Sequence, residues 1–82
     1  MYQNIPNPFE NITIIQYYLP RSVRSSHLEI HDLKGNLVHK SRRLKTGYGA
    51  EEVDLSSVTK GIYIYSLVID SNRFASKQMV SE

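Results

Sequence analysis

Short runs in which apolar and polar residues alternate recur along this sequence, and turn residues separate them at intervals of roughly 8–12 positions. A period near two is typical of strands that bury one face. No segment shows the i, i+3, i+4, i+7 spacing of an amphipathic helix over a helical length. The pattern therefore predicts an all-β chain.

Three runs are the clearest. The first, 12–19, stops at Pro20, and its predicted inward side chains are Ile15, Tyr17 and Leu19. The second, 26–32, has one apolar and one polar face, which predicts a strand with one solvated side. The third, 62–69, is apolar on both faces, which is typical of a central strand.

The weaker segments complete the order of elements. Asp32–Asn36 predicts a tight turn, because Gly35 tolerates positive φ and Asp and Asn favour turns. The other predicted elements are a returning strand at 37–40, a loop at 41–49, a short strand at 51–55, a loop or brief helical turn at 56–60 and a last strand at 73–80.

Six to seven short strands in 82 residues predict an antiparallel sandwich of two sheets, because each apolar sheet face needs to be covered. A small closed barrel is the alternative. We expect one domain over 1–82, with an extended, proline-containing lead-in at 1–11 and the sandwich at 12–82.

The 62–69 run has two apolar faces, and only one of them can face the core between two sheets. Tyr63, Tyr65 and Leu67 share one face, and Ile62, Ile64 and Val68 share the other. In a two-layer protein this second face is either partly exposed or covered by a loop. An exposed apolar face would be a binding surface.

Composition narrows the class of function. The formal net charge is +2, hydrophobic residues make up 40% and charged residues 22%, which is ordinary for a folded domain. No apolar run is long enough to span a bilayer, and residues 1–20 lack a signal-peptide pattern, so an export peptide would lie upstream. The chain contains no cysteine, no G-x-S-x-G sequence and no phosphate-binding glycine loop. We therefore expect neither catalysis nor a cofactor.

Two charged groups are candidate sites. His27, Glu29 and His31 share one strand face, but a spacing of roughly 6.5–7 Å between neighbours disfavours a shared metal ion, so we predict a solvated face and no metal. The basic cluster Lys40, Arg42, Arg43 and Lys45 is either a solvated loop or a contact to an anionic surface. No aromatic residue interleaves with it, which argues against nucleic acid.

An ordered series of segments carries a family resemblance. The segments are Tyr2–Phe9, Thr13–Pro20, Ile30–Gly35, Leu55–Ser57, Lys60–Tyr63 and Lys77–Val80. Together they resemble the type A C-terminal sorting domain of the Bacteroidetes type IX secretion system, over essentially the whole chain.

This resemblance implies an immunoglobulin-like β-sandwich that acts as a signal for secretion across the outer membrane to the cell surface or the medium. It implies partners as well: the outer-membrane translocon and its shuttle proteins, a sortase-like cysteine protease, and anionic lipopolysaccharide. The residues that it assigns to recognition are Pro6, Pro8, Phe9, Asp32, Gly35, Gly61, Tyr63, Lys77, Met79 and Val80.

The residues leave several roles open. The prolines at 6 and 8 favour extended geometry, so this segment is a rigid lead into the first strand, a lid that holds Phe9 over the core, or both. Arg73 and Lys77 either pair with carboxylates of a partner or protect a sheet edge. Alternative functions are a carbohydrate-binding module that uses Tyr18 and Tyr48, or a structural module that assembles through its last strand.

Overall fold

The computed structural model describes residues 1–82 and consists of six strands without a helix. The strands are β1 (Ile12–Leu19), β2 (Ser26–Asp32), β3 (Leu37–Lys40), β4 (Gly47–Asp54), β5 (Gly61–Ile69) and β6 (Asn72–Ser81). β1 and β4 form a two-stranded sheet, and the other four form a sheet in the order β3-β2-β5-β6. All strand pairs are antiparallel, which confirms the predicted sandwich. The structure contains no helix that is long and apolar enough to cross a membrane.

The strand bounds follow the alternation of the sequence except in β4. β1, β2 and β3 have the predicted limits, but β4 begins at Gly47, so the prediction of a loop through Gly49 was wrong. Gly49 lies opposite Tyr17, and a Cβ at that position would be 2.4 Å from Tyr17 Oη. The glycine is therefore part of the strand because the tyrosine ring occupies the space of its missing side chain.

The core lies between the two sheets. The inward side chains predicted for β1, Ile15, Tyr17 and Leu19, are buried, and so is the row of Tyr63, Tyr65 and Leu67 on β5. Leu44 from the loop before β4 and Phe9 from the lead-in also belong to this core. Each fully buried Leu or Ile stabilises the fold by about 1.5–3 kcal/mol.

The outer face of β5 is covered to different degrees along its length. β5 is a central strand, as predicted, because β2 and β6 flank it. Ile62 is 38% exposed, Ile64 is half-buried and Val68 is only 8% exposed. Val68 lies between His27 and Arg73 in the sheet register. Exposure is therefore confined to the beginning of the strand.

The lead-in joins the two sheets along one side of the sandwich. The Tyr2 N–H donates to the Gln16 carbonyl at 2.9 Å, and Ile5 and Ile14 exchange two backbone hydrogen bonds of 2.9 Å. The chain then crosses to β6, where the Phe9 N–H donates to the Val80 carbonyl at 3.0 Å. The lead-in thus extends the two-stranded sheet and covers part of the β6 edge.

The turn between β5 and β6 has two residues, Asp70 and Ser71, with φ of 48° and 71°. Two positive φ values define a type I′ turn, whose favoured second residue is glycine. We expect Ser71→Gly to raise the free energy of unfolding by about 0.5–1 kcal/mol, because relief of the left-handed strain exceeds the added chain entropy. Urea titration measures this, and Ser71→Ala, which keeps the strain, is the control. Equal stability of the two variants would contradict the interpretation.

Candidate recognition surface

The strand register gathers residues from distant parts of the chain at one end of the larger sheet. Asp32 pairs with Tyr63, and Tyr63 pairs with Met79, so these three residues form one row. Gly61 pairs with Ser81, which bridges to Phe9 of the lead-in. We call this end of the sheet, with the lead-in beside it, the motif end.

A second set of contacts, which we call the terminal seam, joins residues 3–10 to residues 78–82. Asn7 Oδ1 accepts the Val80 N–H at 3.0 Å, and Gln3 Nε2 donates to the Gln78 carbonyl at 2.9 Å. The Glu82 N–H donates to the Phe9 carbonyl at 2.7 Å. Backbone groups that a sheet edge would leave open are therefore paired over this length of β6.

The predicted recognition residues divide into exposed and buried groups. Pro6 and Pro8 are exposed, and Lys77 and Val80 are half-buried. Phe9, Tyr63 and Met79 are core residues, exposed by 2%, 5% and 0%. Phe9 therefore has the position of a lid on the core, and the three buried side chains lie beneath the surface of the folded domain.

The turn at Asp32 is built around its carboxylate. Asp32 Oδ1 accepts the N–H groups of Lys34 and Asn36, each at 2.9 Å, and Gly35 has the predicted positive φ, 91°. The Asn36 backbone and side-chain hydrogen bonds hold the pKa of this carboxyl below its usual range. The turn is thus shaped by the ionised form of one side chain.

A cleft of about 590 Å³ lies between this turn and the segment that leads into β5. Asp32 and Lys34 form one side, and Lys60, Gly61 and Tyr63 form the other. Two of the segments that carried the family resemblance therefore face each other across one opening, which the sequence alone did not predict.

A buried polar network fixes the lead-in, and it was not predicted from the sequence. Tyr65 Oη donates to the Tyr2 carbonyl and accepts the Asn4 N–H, both at 2.9 Å. Asn4 Nδ2 donates to Thr13 Oγ1 at 3.1 Å and to the Pro6 carbonyl at 3.0 Å. Burial raises the pKa of the Tyr65 phenol. A polar residue between apolar ones, Thr13 in an apolar run, was the available signal.

The histidine face is less solvated than predicted. Side chains of His27, Glu29 and His31 are only 20%, 21% and 18% exposed. His27 Nε2 lies 2.7 Å from Glu29 Oε2, His31 Nε2 lies 3.8 Å from Glu29 Oε1, and Arg73 Nη2 lies 3.7 Å from the same Oε1. The His27 hydrogen bond, with charges from His27, His31 and Arg73, lowers the pKa of Glu29. One carboxylate therefore organises this face.

The basic cluster lies away from the motif end. Lys40, Arg42, Arg43 and Lys45 are all exposed. The loop that carries them follows the first residues of β2, because the N–H groups of Ser41 and Leu44 donate to the carbonyls of Leu28 and Ser26, each at 2.9 Å. The motif end, in contrast, adjoins Asp32 at the other end of β2.

The smaller sheet carries the two tyrosines of the carbohydrate alternative. The ring centroids of Tyr18 and Tyr48 are 4.7 Å apart, and Tyr48 is 83% exposed. They lie opposite each other on the outer face of β1 and β4.

Comparison with known families agrees with the resemblance in the sequence. The model of the family described as secretion system C-terminal sorting domain matches residues 4–82. The chain belongs to this family, whose members are type IX secretion signals and include no known catalytic domain. Curated proteins gave no match. The domain thus directs export through the periplasm and outer membrane to the cell surface or the medium, and it interacts with the secretion machinery.

The hydroxyl of Tyr65 gives a direct test of the network. We expect Tyr65→Phe to lower the free energy of unfolding by about 1–3 kcal/mol, because the Asn4 N–H and Tyr2 carbonyl lose their buried partner. Hydrogen exchange at the Asn4 amide should accelerate more than exchange in β2. The control is Tyr48→Phe on the exposed face, and equal exchange at Asn4 in both variants would contradict this role.

Glu29 predicts a particular dependence on pH. Because its folded pKa is lowered, its contribution to stability is full above the unfolded pKa and is lost as pH falls through the folded pKa. The facing groups are His27, His31, Lys40 and Arg73. We expect Glu29→Gln to be less stable than the parent at pH 7. The difference should begin to shrink as pH falls below the ordinary pKa of a glutamate and should be gone below the lowered pKa of Glu29 in the folded state.

Denaturant titrations at a series of pH values measure this difference. The exposed Glu52, which makes no ion pair, supplies the control Glu52→Gln. A gap between parent and Glu29→Gln that stays constant into acid would show that the carboxylate contributes packing rather than charge.

Proposed function

We propose that residues 1–82 are one non-catalytic sorting domain whose motif end is bound, in the folded state, by the outer-membrane translocon and its shuttle proteins. The observation that carries this proposal is the register that places Asp32, Tyr63 and Met79 in one row next to the terminal seam. Segments that are far apart in the sequence meet at this end of the sheet, with the side chains of Tyr63 and Met79 buried beneath its surface.

Exposure supports a division of roles among the recognition residues. Pro6, Pro8, Lys77, Val80 and the Asp32–Gly35 turn are accessible in whole or in part, and they contact the machinery. The buried residues Phe9, Tyr63 and Met79 support this surface from below through packing. Gly61, with φ of 153°, shapes the beginning of β5.

The later steps of sorting involve two further partners. A sortase-like cysteine protease separates the cargo from this domain, and the cargo is attached to anionic lipopolysaccharide. Lys40, Arg42, Arg43 and Lys45 supply the contact to the anionic surface. Their distance from the motif end along β2 lets the translocon and an anionic surface be bound at the same time.

The non-catalytic role is supported by the chemistry of the side chains. The chain has no cysteine, and the largest cleft is lined by one carboxylate, Asp32. Its Oδ1 accepts two backbone N–H groups of its own turn, and its Oδ2 accepts the Asn36 side-chain amide. The other titratable side chains of the lining are Lys34, Lys60 and Tyr63. Lys60 Nζ donates to the Glu10 carbonyl and to Asn11 Oδ1, and the Tyr63 hydroxyl donates to the Thr59 carbonyl. None of these side chains is hydrogen-bonded to the Asp32 carboxylate, as an acid–base pair would need to be. The cleft therefore fits a peptide contact better than a reaction.

Fusion to a reporter tests the proposal. Residues 1–82 are joined to the C-terminus of a soluble reporter that carries an inner-membrane export peptide, in a host with type IX secretion. We expect the reporter at the cell surface or in the medium. Retention of a folded, stable fusion in the periplasm would overturn the proposal.

A matched pair of asparagines locates the recognition. Asn7→Ala removes the acceptor of the Val80 N–H at the terminal seam, and Asn72→Ala alters an exposed asparagine at the far end of β6. We expect export to fall several-fold in the first variant and to stay at the parent level in the second. Both purified domains are checked for equal thermal stability, and equal export by both would place recognition away from the seam.

A further inference from the structure

A basic cleft of about 320 Å³ lies at the end of the sandwich opposite the motif end. Its lining comes from two segments, residues 23–26 before and at the beginning of β2, and residues 43–46 before β4. The volume is in the range of small-ligand sites, about 300–1,000 Å³. Only Arg43 and Lys45 of this lining belong to the basic cluster found in the sequence.

The charged side chains that line the cleft all have positive sign. Arg24, Arg43 and Lys45 line it, and no carboxylate does. The nearby carboxylate of Asp70 accepts the N–H groups of Arg24 and Ser25, at 3.2 and 3.0 Å, so it is directed to the backbone of that wall. Three cations that share one opening repel one another, and an anion between them removes the repulsion.

The two walls are tied together before any ligand arrives. The Leu44 N–H donates to the Ser26 carbonyl at 2.9 Å, and the Arg43 guanidinium donates to the Arg24 carbonyl. That contact uses one guanidinium nitrogen and leaves other donors of the fork free. Binding therefore needs little reorganisation of the loop, which lowers its entropic cost.

A buried hydroxyl in the lining has no partner. Ser26 is 2% exposed, and its Oγ makes no hydrogen bond within the domain. Most buried side-chain polar atoms are paired, so this hydroxyl keeps an unused donor behind the wall of the cleft. Because the Oγ atom is itself shielded from solvent, a ligand oxygen reaches it only after a local shift of that wall. The nearby hydroxyls of Ser25 and Thr46 complete a set of neutral donors around the cations.

We propose that the basic cleft binds a phosphate monoester group. A dianion with several acceptor oxygens matches three cations and a group of hydroxyl donors, whereas a carboxylate would leave part of that charge and those donors unused. In the cell this site gives the anionic-surface contact proposed above a defined position, and that cellular role rests on the proposed function. The binding itself is a property of the 82-residue domain.

Titration of the domain with inorganic phosphate and with glucose 6-phosphate, followed by NMR shifts of the 23–26 and 43–46 amides, tests the site. We expect saturable binding in the millimolar range or tighter, and no shifts with glucose. Arg24→Gln should weaken binding roughly tenfold or more, the size of one charge-assisted hydrogen bond. The control Lys34→Gln removes an equal charge from the turn after β2, and we expect it to change the affinity less than twofold, since surface charges beyond about 10 Å are screened.

Two further comparisons identify the kind of molecule that carries the phosphate and measure what Ser26 contributes to binding. Stronger binding of glucose 6-phosphate than of inorganic phosphate assigns the site to phosphorylated saccharides, whereas stronger binding to vesicles containing phosphatidic acid assigns it to lipid headgroups. Ser26→Ala, which fits the core and leaves the charges intact, should weaken phosphate binding several-fold. The proposal would be overturned if phosphate binding did not saturate, or if Arg24→Gln and Lys34→Gln lost the same amount of phosphate affinity. These outcomes are independent of whether the reporter fusion is secreted.

Discussion

A single hydroxyl group on the central strand fixes the path of the lead-in, and the rest of the domain depends on that path. Tyr65 reaches from β5 through the core and bonds to the backbone on both sides of Gln3. Because the hydroxyl both donates and accepts, it pairs the buried Asn4 N–H and the partly buried Tyr2 carbonyl at the same time. The lead-in can then continue to β6 with Phe9 over the core.

The path of the lead-in also increases the apolar surface that this small domain buries. A domain of this size buries only about 60% of the surface of its unfolded chain, and here two strands have to cover the inner face of a four-stranded sheet. The lead-in acts as a third element beside β1, and Leu44 and Phe9 bring apolar side chains from outside the strands. Coverage of the core thus depends on irregular segments as much as on regular ones.

Much of the fold was predictable because side-chain alternation and turn chemistry are local. Three strand ranges, the central position of β5 and the positive φ of Gly35 follow from residues within a few positions of each other. The start of β4 was missed because its glycines read as a loop, and only the ring of Tyr17, across the sheet, makes Gly49 a strand residue. Local propensity had no information about that partner.

The motifs predicted which residues belong to the candidate surface, and that assignment stays a prediction, but the motifs carried no information about how these residues are arranged. Motif order identified residues such as Asp32, Gly61 and Val80, but their convergence depends on register between strands that are far apart in sequence. Only part of the basic cleft could be predicted from the sequence. Arg43 and Lys45 belong to a cluster of basic residues along the chain, whereas Arg24 and Ser26 join them only because the loop before β4 pairs with the beginning of β2. The Glu29 contacts with His31 and Arg73 are of the same kind.

The terminal seam exists only when residues 3–10 and residues 78–82 are both in place. Its two halves are separated by 73 residues at the Asn7–Val80 contact, and neither half alone presents the surface that both form together. A chain that stops short of residue 78, or one whose β6 has not docked, lacks the seam while still containing the earlier segments. A receptor that binds the seam would therefore sort finished, folded molecules from incomplete ones, without a separate step of quality control.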